Sequence, residues 1–220
     1  SAGYGDQPDP TRALHRQAGV LLNRYGVVTR ETVAAEGLRG GFSAIYPVFK
    51  AMEESGQVRR GYFIEGMGAS QFALPGAVDR LRSHRDVDGE SRALVLAATD
   101  PANPYGATTA WPEHEAVDRR GLQRAAGALV VVVDGELALY LPPGGRSIVS
   151  FGPAHDPLSA QLVADALAGL AARLPRQTMV IEKIDEVESS QSTLASLLEG
   201  AGFRRGYKGF TYRAGTAVGT

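Results

Sequence analysis

Basic side chains interleaved with aromatic ones are the features of this sequence with the clearest chemistry, and they fall into three groups. Ser43, Tyr46 and Lys50 recur at three- and four-residue spacing ahead of the pair Arg59-Arg60. Arg119, Arg120 and Arg124 follow Trp111, and Arg204, Arg205 and Lys208 flank Tyr207, with Phe210 and Arg213 close behind. Guanidinium and ammonium groups neutralise phosphates without reading sequence, and aromatic faces accept stacked bases. Such interleaving suits single-stranded or duplex DNA. The plain alternative in each group is a solvated face of ordinary charges over aromatics that belong to the core.

Asp100 is the acid that base chemistry would use, since a monofunctional glycosylase needs a carboxylate to activate water at a flipped-out nucleotide. Asp100-Pro101 is also a common turn opener, in which the carboxylate accepts backbone amides, and the turn is the stronger reading. His15, His84, His114 and His155 lack the paired spacing of a metal site. His114, between Glu113 and Glu115, has the neighbours to attract a cation, but a solvated loop is the simpler reading. A phosphate-cradling G-x-x-x-x-G-K-[ST] string does not occur, and Gly144-Gly145-Arg146-Ser147 reads as a hairpin turn. The sequence therefore implies neither cofactor nor metal for this fragment. No Gly-x-Ser-x-Gly elbow occurs, and the serines at 189–193 read as a helix cap.

Composition narrows the classes further. The 220 residues are 44% hydrophobic and 21% charged, enough apolar material for one large domain or two ordinary ones. A net charge of −1 argues against a protein that wraps DNA by charge alone. The absence of cysteine excludes disulfides, thiolate zinc sites and cysteine nucleophiles. No apolar run approaches bilayer length and the first residues lack a signal peptide's pattern, so a cytoplasmic protein with no membrane partner is expected.

The elements that must carry these residues follow from periodicity and punctuation. Residues 1–10 read as a flexible lead-in. Apolar positions Leu14, Ala18, Leu21 and Leu22 predict a helix capped by Thr11 and ended at Tyr25-Gly26. Thr29 and Thr32 open a second, short helix. Phe42, Ile45, Phe49 and Met52 stripe a third, expected to begin near Ser43 so that Pro47 falls in its first turn. Strand-like runs at 58–64 and 70–74 flank a turn, and three helices followed by a hairpin is the order of a winged helix. A further helix from Pro75 completes a domain over 11–84, with a polar linker at 85–92. Strands are expected near 94–98, 128–133, 136–141, 147–151 and 179–184, with Asp134-Gly135 a strong hairpin signal. A helix over 158–174, another near 193–199 and a final hairpin close a second domain over 93–214, before a tail at 215–220. The expected fold class is α+β: a winged-helix domain, then a small antiparallel β-barrel-like domain with helices.

The run from Gly41 to Arg82, GFSAIYPVFKAMEESGQVRRGYFIEGMGASQFALPGAVDRLR, resembles the bacterial large helicase-related family, known as Lhr. LVLAATDPANPYG and AGALVVVVDGELALYL, later in the chain, are similar to the same family. The resemblance covers most of the chain and lies in the family's C-terminal extension, beyond the helicase core. It implies that ATP and magnesium belong to the motor portion of a parent chain. The second half also resembles the winged-helix DNA glycosylases of the AlkZ type, which unhook interstrand crosslinks. Their catalytic Gln-x-Gln or Gln-x-Asp string is absent, and Gln71-Phe72-Ala73 supplies its first residue only. The expected function is an accessory DNA-binding and scaffolding module of an ATP-dependent DNA helicase active in repair. A glycosylase-like base-excision domain is the alternative. A third is a structural module for self-association or partner docking, on the strength of near-neutral charge and apolar β runs with an open edge.

Overall fold

In the computed structural model the chain divides into two compact units, Ser1–Gly89 and Glu90–Thr220. The structure describes residues 9–68, 70–85, 90–174 and 178–213, without the side chains of His84, Arg85 and Arg119. Most of the expected lead-in, residues 86–89 of the expected linker, and the expected tail lie outside the described residues.

In the first unit, α1 (Pro10–Tyr25) is capped by Asp9, whose carboxylate accepts the Thr11 N–H at 3.0 Å. Proline at the first helical position needs no donor, so the helix starts ahead of the expected Thr11. Gly26, at φ 70°, stops it, and β1 (Val27–Val28) follows. Helix α2 (Arg30–Ala35) opens with a reciprocal capping box: Thr32 N–H donates to Thr29 Oγ1 and Thr29 N–H to Thr32 Oγ1. Helix α3 (Gly41–Glu54) begins two residues earlier than expected, which places Pro47 inside it. Pro47 has no N–H to give the Ser43 carbonyl, yet both residues face solvent, where water can take that bond. Strands β2 (Arg59–Gly61) and β3 (Gln71–Ala73) form the wing, and β1 pairs with the other edge of β3. Helix α4 (Pro75–Arg85) closes the unit. Its core gathers Leu21, Leu22, Val33, Ile45, Phe49 and Phe72, with the rings of Phe49 and Phe72 stacked at 5.1 Å.

The wing is shorter than the sequence suggests because a side chain replaces part of its ladder. Gln71 is fully buried. Its Oε1 accepts the N–H groups of Phe63 and Ile64 at 2.9 and 2.8 Å. Its Nε2 donates to the carbonyls of Ile64, Met67 and Gly68 at 2.8–3.2 Å. One amide thus pairs the backbone of the loop that two longer strands would have paired.

In the second unit, β4 (Ala93–Ala97), β5 (Leu129–Val133), β6 (Glu136–Leu141) and β7 (Ser147–Ser150) lie side by side, antiparallel. Asp134 and Gly135 turn β5 into β6 with φ of 50° and 89°, the left-handed pair that a two-residue hairpin requires. Helices α5 (Gly152–His155) and α6 (Pro157–Arg173) follow. The expected strand at 179–184 breaks at Glu182 into β8 (Thr178–Ile181) and β9 (Lys183–Ile184), which join different sheets. At the break, Glu182 N–H donates to the Arg146 carbonyl and its own carbonyl accepts from Ser189 N–H. Strand β10 (Val187–Glu188), helix α7 (Ala195–Gly200), β11 (Arg204–Gly206) and β12 (Gly209–Arg213) complete the unit.

The sheets are open. One runs β10-β9-β7-β6-β5-β4 and the other β11-β12-β8, and no pairing among the described strands closes either. The expected barrel-like closure is therefore replaced by two sheets, and the β7–β9 pair is parallel. Val163, Leu167 and Ala171 of α6 share a core with Leu139, Ile148, Ile181 and Phe210 from both. Among the described residues no helix is long and apolar enough to cross a membrane.

Replacing Gln71 by Ala leaves five backbone groups of the wing loop without their partner. Chemical denaturation should show a loss of about 2–3 kcal/mol, the scale of buried polar groups left unpaired. An unchanged unfolding midpoint would mean that the loop holds its shape by other contacts.

Candidate nucleic-acid interface

Helix α3 and the wing bring the first group of predicted residues together, though not all on one side. Ser43, Tyr46 and Lys50 follow one another along α3, with Ser43 and Lys50 exposed and Tyr46 half-buried. Phe42 and Phe72 hold the Tyr46 ring, each with its centroid at 5.8 Å, while the hydroxyl accepts a bond from Arg60 Nη1 at 3.3 Å. Arg60 also pairs with Glu53 at 3.3 Å, and Lys50 stands 3.8 Å from Glu54. Exposed pairs of this kind are weak and give way to a phosphate at little cost. Arg59 is exposed and, as the residue before Arg60 on β2, points to the opposite face. The sequence treats the two arginines as one group; strand alternation separates them.

The second predicted group is built into the fold. Arg124 directs its guanidinium to the carbonyls of Asn103 at 2.6 Å, Asp100 at 3.1 Å and Tyr105 at 3.2 Å. That fork holds the 100–105 loop and leaves little of the guanidinium for a phosphate. Trp111 is buried against Tyr105 and Tyr140, so its face is core and not a platform for bases. Arg120 is exposed, and the side chain of Arg119 lies outside the described residues. Asp100 accepts the Ala102 N–H at 2.8 Å in the turn that its Asp-Pro step predicts.

The third group is offered to solvent. Arg204, Arg205 and Lys208 are exposed around the tip of the β11–β12 hairpin, and Tyr207 projects fully into solvent. Phe210, in contrast, is fully buried.

The second unit also assembles a polar cluster that residue spacing does not reveal. Asp185 accepts from Ser150 N–H at 2.7 Å and from the Ser150 hydroxyl at 2.5 Å. His114 Nε2 lies 3.2 Å from the same carboxylate, and His155 Nε2 lies 2.8 Å from Ser150 Oγ. His114 Nδ1 accepts from the N–H groups of Ala116 and Val117, so Nε2 carries the proton given to Asp185. The cluster lines a cleft of about 750 Å³ whose apolar walls include Pro112, Phe151 and Pro153. His114 and Asp185 stand far apart in the sequence, and His114 reads there as a solvated loop residue. At the cluster's edge, Asp185 and Glu186 both take positive φ, 52° and 65°.

Three helices and a paired wing define a winged-helix unit, joined to an α+β unit. The family model described as the large helicase-related protein winged-helix domain matches residues 7–93. The chain is 44% identical over 220 residues to the Lhr helicase/probable uracil glycosylase of Mycolicibacterium smegmatis, covering 94% of this chain and 14% of that protein. It is 35% identical over 195 residues to the Lhr helicase/uracil glycosylase of Escherichia coli, covering 87% of this chain and 12% of that one. This chain belongs to the large helicase-related family and corresponds to part of its C-terminal region.

Proposed function

We propose that this chain is an accessory DNA-binding and scaffolding portion of an ATP-dependent helicase that acts in DNA repair. The observation that carries this reading is the meeting of Tyr46 and Arg60, which brings α3 and the wing onto one phosphate-sized face beside Ser43 and Lys50. ATP and magnesium serve the motor elsewhere in the parent chain; this chain spans about a seventh of the Mycolicibacterium smegmatis relative. The groups on this face bind phosphates and not base edges, so they hold DNA of any sequence and leave specificity to other parts of the parent.

With a handful of phosphates neutralised, affinity falls with salt, but less steeply than for a strongly basic protein. Replacing Lys50 and Arg60 together by Ala should lower the magnitude of the log–log salt slope by about two, with sequence preference unchanged. Arg59→Ala, on the other face of β2, should have a smaller effect. Fluorescence anisotropy at several salt concentrations measures all three. Wild-type binding by the double variant would remove this face from the DNA-holding role.

A second reading, base excision, has two supports: both relatives bear glycosylase names, and the cleft presents Asp185 beside Ser150 and His155. In that reading Asp185, and not the turn-forming Asp100, is the carboxylate at the flipped nucleotide. Uracil release from a uracil-containing strand should then occur with the wild-type chain and disappear in Asp185→Asn, with DNA affinity retained. Release that survives in Asp185→Asn, or none from the wild type, ends that reading for this chain.

A further inference from the structure

The hairpin that ends the described chain carries an exposed aromatic ring without a role in the fold. Strand β12 is anchored on both sides. It pairs with β8 from Phe210↔Ile181 to Arg213↔Thr178, and Phe210 is fully buried. At its start, Gly209 takes φ 102° and lies so close to β8 that a Cβ would sit 2.3 Å from the Ile181 carbonyl. Phe203, just before β11, is also buried. Between these anchors the chain reverses through Tyr207 and Lys208, and residues 204–208 are all exposed. The hairpin is thus a fixed root with a free tip.

Two features of that tip need separate explanations. Strand β11 is the edge of its sheet, and charges on an edge strand discourage pairing with another chain. That accounts for Arg204 and Arg205. It does not account for Tyr207, whose exposure of 103% equals that of an extended chain. Among the described residues no side chain covers the ring, so their packing gains nothing by having it there. Among the described residues Arg204, Arg205 and Lys208 also have no ion-pair partner, unlike Lys50 and Arg60, so their charge is available in full.

An aromatic ring at the tip of an anchored hairpin, with cations on both sides, matches the chemistry of an unpaired nucleotide. The base stacks on the ring, and the phosphates on either side meet the cations. A duplex hides its base faces, and on a duplex the ring of Tyr207 would have no partner. We infer that the β11–β12 hairpin is a binding site for single-stranded DNA: Tyr207 stacks on an exposed base, and the phosphates on its two sides meet Lys208 beside it and Arg204 and Arg205, which alternate to opposite faces of β11. This inference rests on the DNA-binding reading and adds to it the strandedness of the ligand.

The test uses the whole chain and a short oligothymidylate with one 2-aminopurine, whose fluorescence is quenched when it stacks. Tyr207→Ala should bind this single strand about tenfold more weakly than wild type and fail to quench it, while Tyr207→Phe keeps both properties. Duplex affinity should be unaffected by either change. Replacing Arg204 and Arg205 by Ala should reduce the magnitude of the salt slope for the single strand by about 1.4. Because Tyr207 is fully exposed, Tyr207→Ala should keep the wild-type unfolding temperature. Wild-type affinity and quenching in Tyr207→Ala would overturn the inference and leave the α3 and wing face untouched. A wild-type chain that binds no DNA, single or double, would overturn both.

Discussion

The amide of Gln71 makes hydrogen bonds in both directions across the wing loop, and the face formed with α3 depends on it. Two backbone N–H groups point into its oxygen and three carbonyls accept from its nitrogen. Without these bonds, the N–H groups of Phe63 and Ile64 and the carbonyls of Ile64, Met67 and Gly68 would lose this partner, which is costly for groups shielded from water. The amide closes the wing close to the ladder, where Arg60 pairs across from Phe72. Phe72 in turn packs on Phe49 and Tyr46. The hydroxyl of Tyr46 and the guanidinium of Arg60 are therefore set by the same hydrophobic contact.

The second unit uses polar groups for internal support in a similar way. Arg124 ties down the 100–105 loop through carbonyls, and Asp185 joins the end of β7 to the segment holding His114. Charges committed inside are not available outside, which fits a chain whose net charge is only −1. Arg204, Arg205 and Lys208 at the hairpin tip, by contrast, remain accessible. In the proposed binding, overall charge matters less than placement, because a few cations act within about a Debye length of a phosphate.

Where the sequence is periodic it is legible. The Thr29/Thr32 box, the α3 stripe, the Asp134-Gly135 turn and the final hairpin all stand where spacing places them. The departures arise where tertiary contacts override local pattern. Gln71 shortens the wing by substituting a side chain for ladder bonds. Glu182 divides one apolar run between two sheets, because Arg146 and Ser189 take its backbone groups. The basic clusters read alike in sequence, yet Arg124 faces inward and Arg204 outward, a difference set by which loops return over them. The Ser150–Asp185–His114 cluster joins residues far apart in the chain and leaves no spacing signal.

The claim that these units hold DNA through two small, specific faces is most directly tested by a DNA titration followed through backbone amide NMR shifts. At saturation with a short single strand, the account predicts perturbations confined to α3 around Tyr46, to the wing at Arg60, and to Tyr207 and Lys208. It predicts little change at Arg124, whose guanidinium is occupied. Unperturbed signals at Tyr46, Arg60 and Tyr207, with DNA bound elsewhere or not at all, would contradict it.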